Sequence, residues 1–215
     1  TIILHVYARL LDIDPYSENL IPSLAVEVPT IANGGIYSDG LTYTFKLRER
    51  VTFHDGSAFT ADDVKFSWDR AMEMDLPEGN AGALSDVVAS TEVVDDYTFR
   101  ATLSEPVADF LNSVVVSMVS SVVSQDAVEA NGGVEAGVPN EFMAGNMVGT
   151  GPYKFVVWNR NENVQLEVND SYWGENAKLD VRIEIGGDPD VRVLGLRAGE
   201  FDTVETDPSF VADLE

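Results

Sequence analysis

Residues 41–47 alternate between apolar and polar side chains, and the apolar residues that follow are spaced as on one face of a helix. The alternation has the period of two that turns one face of a strand toward a core and the other toward water. Asp55 and Gly56 supply turn chemistry, and Thr60 with Asp63 three residues later resembles a helix capping box. The pattern predicts a strand, a tight turn and a capped helix with an apolar face formed by Ala61, Val64, Trp68, Ala71 and Met72.

Two hairpins are predicted from the same kind of alternation. The first covers residues 91–103 and turns at Asp95 and Asp96, with Tyr97, Phe99, Ala101 and Leu103 facing inward. The second pairs residues 153–158 with residues 164–168 across a short polar turn. Both hairpins predict antiparallel sheet rather than the parallel sheet of a βαβ unit.

The remaining elements are predicted from residue type and from end signals. Residues 114–124 are β-branched and small, which predicts a buried strand, and Ser124 is placed to cap the helix after it. A strand is expected over residues 181–185. A last helix is expected to begin at Pro189 and to stop at Gly199.

The net charge of the chain is more unusual than its apolar content. Hydrophobic residues make up 45% of the 215 residues, as in an ordinary globular protein of one domain or two small ones. Asp and Glu number 37 against 13 Lys and Arg, for a formal net charge of -24. Such a surface repels phosphate backbones and anionic lipids, which excludes nucleic acid and bare membrane as partners. Because the acidic residues are spread along the chain, adaptation to high salt is favoured over a merely acidic protein.

The residue types needed for catalysis or metal binding are scarce. The chain has no Cys, and His5 and His54 are its only histidines. Acidic pairs fall at predicted turns and helix starts, where Asp caps backbone, so we interpret them as structural rather than as glycosidase carboxylates. The turn at residues 149–152 lacks the Lys-Ser/Thr ending of a phosphate loop, and there is no Gly-x-Ser-x-Gly nucleophile elbow. Neither an enzyme nor a bound cofactor is therefore expected.

Five motifs, in this order, cover most of the chain. They are DGLTYTFKLRERVTFHDGSAFTADDVKFSWDR at residues 39–70, DDYTFRATLSEP at 95–106, GTGPY at 149–153, NDSYWG at 169–174 and RVLGLRAGEFD at 192–202. Together they closely resemble the family 5 extracellular solute-binding proteins, the peptide and nickel receptors of ABC importers. Residues 7–25 also look like the opening stretch of that family, with Ala8 and Arg9 in place of the usual Glu-Gly. Two departures matter: Ser57 with Ala58 stands where the family has a residue followed by Pro, and the Gly-rich residues 28–38 lack the usual Trp.

The resemblance implies an α/β fold of the type II (cluster C) periplasmic-binding-protein kind, with mixed sheets and flanking helices. It implies an N-terminal lobe whose second lobe is missing from this chain. Residues 1–124 are expected to form the smaller subdomain of that lobe, with its lead-in. Residues 125–215 are expected to form part of its sheet-based subdomain.

The resemblance also implies a function, which is capture of an oligopeptide or dipeptide outside the cytoplasm and its delivery to ABC transporter permease subunits. The protein is expected to be monomeric and, in its full length, lipid-anchored at the cell surface or in the periplasm. The first lobe of such receptors contributes a loop after the signature helix and a strand edge near the second hairpin. By position, these correspond to the expected ligand-binding residues Asn80, Ala81, Ser117, Met118 and Ser120.

Other functions remain open at the level of the sequence. Nickel chelates or oligosaccharides could occupy the same fold, and an extracellular sensor domain could share it. A secreted hydrolase is a less favoured alternative, which peptide or glycoside turnover by the full-length protein would support.

Overall fold

A computed structural model describes residues 2–74 and 82–205 of the chain. Its helices are α1 (Ile3–Val6), α2 (Ala61–Met74), α3 (Gly82–Ser85), α4 (Gln125–Ala130) and α5 (Pro189–Ala198). Its strands are β1 (Leu11–Ile13), β2 (Leu20–Pro22), β3 (Thr42–Lys46), β4 (Val88–Asp95), β5 (Thr98–Leu103), β6 (Tyr153–Asn159), β7 (Asn163–Val168) and β8 (Val181–Glu184). The predicted strand at 41–47, both hairpins and the last helix are thereby confirmed.

The main core lies between helix α2 and an antiparallel sheet with strand order β3-β5-β4. Phe45 of β3 stands opposite Phe99 of β5, and both are fully buried. Trp68 of α2 meets Phe99 edge-on, with ring centroids 5.2 Å apart. This contact follows from the sequence periodicities, because the strand period of two and the helical period of 3.6 bring these three side chains onto facing surfaces.

Helix α2 begins with a variant of the predicted capping box. The Thr60 N–H donates to the Asp63 carboxylate at 2.9 Å. The side chain of the third helical residue thus accepts the N–H of the capping residue, as in a capping box. The Thr60 hydroxyl donates to the same carboxylate oxygen at 3.4 Å. Asp63 also accepts the N–H of Gln125 at 3.2 Å, so one buried carboxylate joins the starts of α2 and α4. Burial raises the pKa of Asp63, and these hydrogen bonds oppose the rise.

Residues 6–12, which lead into β1 and include its first two residues, lie between pieces of the chain that are distant in sequence. The carbonyl of Val6 accepts the N–H of Gly151 at 2.9 Å, and that of Ala8 accepts the N–H of Val122 at 2.9 Å. On its other side, the carbonyl of Arg9 accepts the N–H of Leu24 at 3.0 Å. Residues 6–12 therefore act as a central strap that holds three separate parts of the chain together.

The prediction of a strand at residues 114–124 was wrong. Residues Leu111–Val115 form a turn of π-helix, and residues Met118–Ser120 form a 3₁₀ turn. Ser124 does cap α4, since its hydroxyl accepts the N–H of Ala127 at 3.1 Å. Val114, Val115 and Val122 of the segment are buried as expected, whereas Met118 is exposed. The N–H groups of Ser117, Ser120 and Ser121 bond within local turns, and that of Val122 bonds to the carbonyl of Ala8.

The chain divides into two compact units. The first contains Thr1–Val157 and Leu166–Val181, and the second contains Trp158–Gln165 and Arg182–Glu215. Besides the sheet of the main core, β1 pairs with β2, and β6, β7 and β8 form a sheet in that order. Helix α5 is followed by Gly199, which adopts the left-handed conformation that glycine favours. Within the described residues, no helix is both long and apolar enough to cross a membrane. The predicted division at residue 124 concerns subdomains of a larger receptor and stays a prediction.

Candidate functional site

The expected ligand-binding residues lie in two places. Asn80 and Ala81 fall outside the described residues. Ser117, Met118 and Ser120 lie in and beside the 3₁₀ turn, within residues 116–120, which we call the 116–120 segment. Their role in ligand binding stays a prediction.

Hydroxyl groups fold the 116–120 segment onto the π-helical turn before it. The hydroxyls of Ser117 and Ser120 both donate to the carbonyl of Val114, each at 2.7 Å. Ser120 is fully buried, whereas Met118 is 45% exposed. The two serines therefore shape the turn, and Met118 is the most exposed residue of the segment.

A buried arginine fastens the 116–120 segment to the central strap. The Arg9 guanidinium donates from Nη1 to the carbonyl of Val116 and from Nη2 to Oδ1 of Asp12, the latter at 2.5 Å. Arg9 is only 9% exposed, and a buried charge is stable only when it is paired and hydrogen-bonded. The guanidinium is rigid and planar, so it fixes the Val116 carbonyl and the Asp12 carboxylate relative to each other.

An aromatic and cationic cluster belongs to the same compact unit. The Arg48 guanidinium stacks over the Trp173 ring at 4.6 Å and donates from Nε to the carbonyl of Ser23 at 2.5 Å. Trp173 donates to the carbonyl of Thr150 at 3.1 Å and lies 4.9 Å from the Tyr172 ring. Burial raises the pKa of Tyr172, the Asp12 charge adds to the rise and the Arg48 charge opposes it.

The turn at Gly149–Gly151 is clamped by His54. The Gly149 N–H donates to Nδ1 at 3.3 Å, and Nε2 lies 3.0 Å from the carbonyl of Gly151. Because Nδ1 accepts a hydrogen bond, the proton is assigned to Nε2, which donates, and the ring is neutral. Burial lowers the pKa of His54 and favours that neutral form. In this structure His54 therefore positions the backbone of the turn.

Sequence reasoning missed Arg9 and Asp12 as neighbours of the 116–120 segment. The available signal was the departure of Ala8 and Arg9 from the Glu-Gly of the family pattern. Within residues 2–74 and 82–205, no cluster of three or more His, Asp or Glu could hold a metal ion. The described residues therefore offer hydrogen-bonding groups, the exposed Met118 residue and the rings of Tyr172 and Trp173, which suit reversible binding.

Comparison with known proteins places this architecture in one family. The family model described as "Bacterial extracellular solute-binding proteins, family 5 Middle" matches residues 19–215. Heme-binding protein A of Haemophilus influenzae is 33% identical over 216 residues, in a match that covers 93% of this chain and 38% of that protein. The dipeptide-binding protein of Escherichia coli is 29% identical over 211 residues, in a match that covers 90% of this chain and 38% of that protein.

The fold is also similar to that of solved structures. The periplasmic binding protein DppA from Helicobacter pylori, in complex with the peptide STSA, superposes with a TM-score of 0.80 and 32% sequence identity. The match covers 98% of this chain and 43% of that one. The chain thus spans less than half the length of the relatives it matches. By the family match over residues 19–215, the chain belongs to the bacterial extracellular solute-binding proteins of family 5.

Proposed function

We propose that this chain is part of an extracytoplasmic receptor that binds an oligopeptide or dipeptide and delivers it to the permease of an ABC importer. The observation that carries the proposal is the family match over residues 19–215, joined to relatives named for dipeptides or solved with a peptide. The exposed Met118 residue is compatible with varied side chains of a peptide, because a Met side chain is flexible and polarizable.

The expected affinity follows from how much of the solute is covered. The chain spans less than half of its relatives, so a solute bound to it alone keeps a large face in water. Affinity of small ligands comes from burying most of their surface and excluding water from polar contacts. We therefore expect the 215-residue chain to bind peptides weakly, and a receptor that contains it together with a second lobe to bind them tightly.

Titration calorimetry on both proteins with a library of di- to pentapeptides tests this function. Tight binding by the longer receptor and weak binding by the chain is the expected result. Hemin serves as the competitor, because one relative is named for heme. If the longer receptor binds hemin tightly and binds no peptide, its solute is heme and the proposed peptide function is wrong.

We also infer that the protein performs no chemistry on its solute. Two of the paired acidic residues are engaged as turn caps: Asp14 accepts the N–H groups of Tyr16 and Ser17, and Asp95 accepts that of Tyr97. Hydrogen bonds lower the pKa of Asp14, chiefly from the Ser17 N–H, and that of Asp95, chiefly from the Thr98 hydroxyl. Peptide turnover that disappears when a single carboxylate is changed would contradict the inference.

The lipid anchor of the full-length receptor and its adaptation to high salt belong to the same proposal. A lipid anchor predicts that the native protein is recovered with membranes and is released by detergent but not by salt. Release by salt alone would instead indicate an electrostatic attachment.

A further inference from the structure

The sequence Ala-Asn-Gly-Gly occurs twice in the chain, at residues 32–35 and at residues 130–133, which we call the first and second Asn-Gly loops. In an Asn-Gly pair the backbone nitrogen of the glycine can attack the side-chain amide of the asparagine, because glycine has no side chain to hinder the approach. Asn33 and Asn131 are both exposed, so water reaches both. Since the local sequence is the same, any difference in their reactivity has to come from the fold.

In the first Asn-Gly loop, the fold engages every group that this reaction uses. Oδ1 of Asn33 accepts the N–H groups of Thr30 at 2.8 Å and of Gly35 at 3.0 Å. Nδ2 of Asn33 donates to a backbone carbonyl of the same part of the chain at 3.0 Å. The attacking nitrogen is engaged as well, because the N–H of Gly34 donates to the carbonyl of Ile31 at 3.3 Å. Four hydrogen bonds therefore have to open before this loop can react.

In the second Asn-Gly loop, a single hydrogen bond holds the reacting side chain. Nδ2 of Asn131 donates to the carbonyl of Ala127 at 2.8 Å, which fastens the side chain to the end of α4. Among the residues that the structure describes, neither Oδ1 of Asn131 nor the N–H of Gly132 has a hydrogen-bond partner. The attacking nitrogen and the amide that it attacks are thus far less restrained than in the first loop.

We propose that Asn131 is a site of spontaneous deamidation in the folded protein, whereas Asn33 is protected. The nitrogen of Gly132 loses its proton to hydroxide and bonds to Cγ of Asn131, and the Cγ–Nδ2 bond breaks. The leaving nitrogen takes up a proton and departs as ammonia, which leaves a cyclic succinimide. Water then adds to either ring carbonyl and opens the ring to aspartate or isoaspartate. Each conversion consumes water and releases ammonia, and nothing is oxidised or reduced.

The product loosens the connection that follows α4. Nδ2 of Asn140 donates to the carbonyls of Asn131 and Gly133, each at 3.0 Å, and so ties this connection to the end of the helix. An aspartate at this position cannot donate to the carbonyl of Ala127, because a carboxylate only accepts hydrogen bonds. Isoaspartate also adds a methylene to the backbone, which displaces the carbonyl that Asn140 binds. Ageing of the protein is therefore expected to begin at this connection.

Storage of the whole 215-residue chain at mildly alkaline pH tests the proposal. Peptide mapping by mass spectrometry measures the fraction of amide converted to acid in each loop, and a methyltransferase specific for isoaspartate marks the rearranged product. In the folded protein, Asn131 is expected to convert at least about tenfold faster than Asn33, because fewer hydrogen bonds have to open. In guanidinium chloride, which unfolds both loops, the two rates are expected to agree within about twofold.

A variant in the tie to α4 makes the test specific. Asn140→Ala removes both hydrogen bonds that restrain the backbone of the second loop, so it is expected to speed conversion at Asn131 about threefold and to leave Asn33 unchanged. Asn146→Ala is the matched control, because Asn146 donates to the carbonyl of Phe142 and not to the second loop. It is expected to leave both rates unchanged.

Hydrogen exchange tests the structural consequence. The N–H of Gly133 donates to the carbonyl of Val128 at 2.9 Å, and its exchange is expected to become faster in stored protein as the converted fraction grows. Asn131→Gln keeps an amide donor, but its longer side chain cannot form the succinimide. This variant is expected to keep the original protection of the Gly133 N–H throughout storage.

Several outcomes would overturn the proposal. Equal conversion of Asn33 and Asn131 in the folded protein would show that local sequence alone sets the rate. Faster conversion at Asn33 would contradict the protection assigned to its hydrogen bonds. Absence of conversion at Asn131, over a period in which the unfolded chain converts, would show that the fold protects both loops. The experiment involves no solute, so the proposed function is judged separately by calorimetry on the longer receptor.

Discussion

His54 is the residue whose protonation state most directly affects the turn at Gly149–Gly151. Its pKa is lowered from the ordinary value of about 6.5. As pH falls below 6.5, the unfolded chain takes up a proton at this residue before the folded chain does. The stabilisation is therefore complete above that pH and is lost as pH falls toward the folded-state pKa.

We predict that His54→Gln lowers the free energy of unfolding by about 1–2 kcal/mol at pH 8. The reason is that the Gly149 N–H loses its acceptor and the Gly151 carbonyl loses its donor. The difference in the free energy of unfolding between the variant and the original protein is expected to become smaller as pH falls from 7 to 5. Urea unfolding across that range provides the measurement. His5→Gln is the matched control, and an identical narrowing in the control would contradict the assignment to His54.

Gly151 is required by close packing rather than by an unusual backbone angle. A Cβ atom at this position would lie 2.6 Å from the carbonyl oxygen of His5 and 2.7 Å from that of Val6. We predict that Gly151→Ala lowers the free energy of unfolding by about 1–3 kcal/mol, because backbone has to move. Gly145→Ala is the control, since a Cβ there meets nothing within 4 Å. Equal thermal midpoints for the two variants would show that the strap can shift without cost.

At the scale of elements, α4 depends on the cap that Ser124 provides. We predict that Ser124→Ala lowers the free energy of unfolding by about 1 kcal/mol, because the N–H of Ala127 loses its acceptor. Ser121→Ala is a matched control, since its hydroxyl is buried without a partner in the described part of the chain. Removing an unsatisfied hydroxyl is expected to be neutral or slightly stabilising. Chemical denaturation of both variants measures the contrast, and similar losses would argue against the cap.

Periodicity and end signals predicted the hairpins, α2 and α5, because those elements are stabilised by local chemistry and one apolar face. The failure at residues 114–124 has a local cause too. A short β-branched run suits a buried strand and a buried turn equally. The hydroxyls of Ser117 and Ser120 favour the turn, because both donate to the carbonyl of Val114. Such side-chain competition for backbone leaves no trace in the hydrophobic pattern.

At the scale of the whole molecule, the dominant physical property is self-repulsion. The formal net charge is -24, and salt screens exposed charges over distances of roughly 10 Å or less. We predict that the thermal midpoint rises from millimolar to molar KCl, by about 2–4 °C for each kcal/mol gained. Repeating the scan near pH 4, where carboxylates lose much of their charge, is the control. A flat or falling trend at neutral pH would reject adaptation to high salt.

The candidate site was less predictable than the fold, because it is assembled from distant parts of the chain. Motif order was enough to predict the family, but Ser117 and Met118, which were expected at a strand edge, lie in and beside a 3₁₀ turn. It could not show that Arg9 reaches Val116, or that Arg48 stacks on Trp173, since neither pair shares a local pattern. Only the three-dimensional path of the central strap brings these groups together.

The central strap also affects the order in which parts of the chain can fold. Arg9 and Val116 lie 107 residues apart along the chain, and His54 and Gly149 lie 95 apart. Loops of this length must close before these contacts can form, and the entropy lost in closing them slows folding. Because synthesis proceeds from the amino terminus, the strap cannot complete its contacts until residues near 150 have been made. A partly made chain therefore leaves the carbonyls of Val6 and Ala8 without the partners Gly151 and Val122, which makes this segment a target for chaperones before the long-range contacts form.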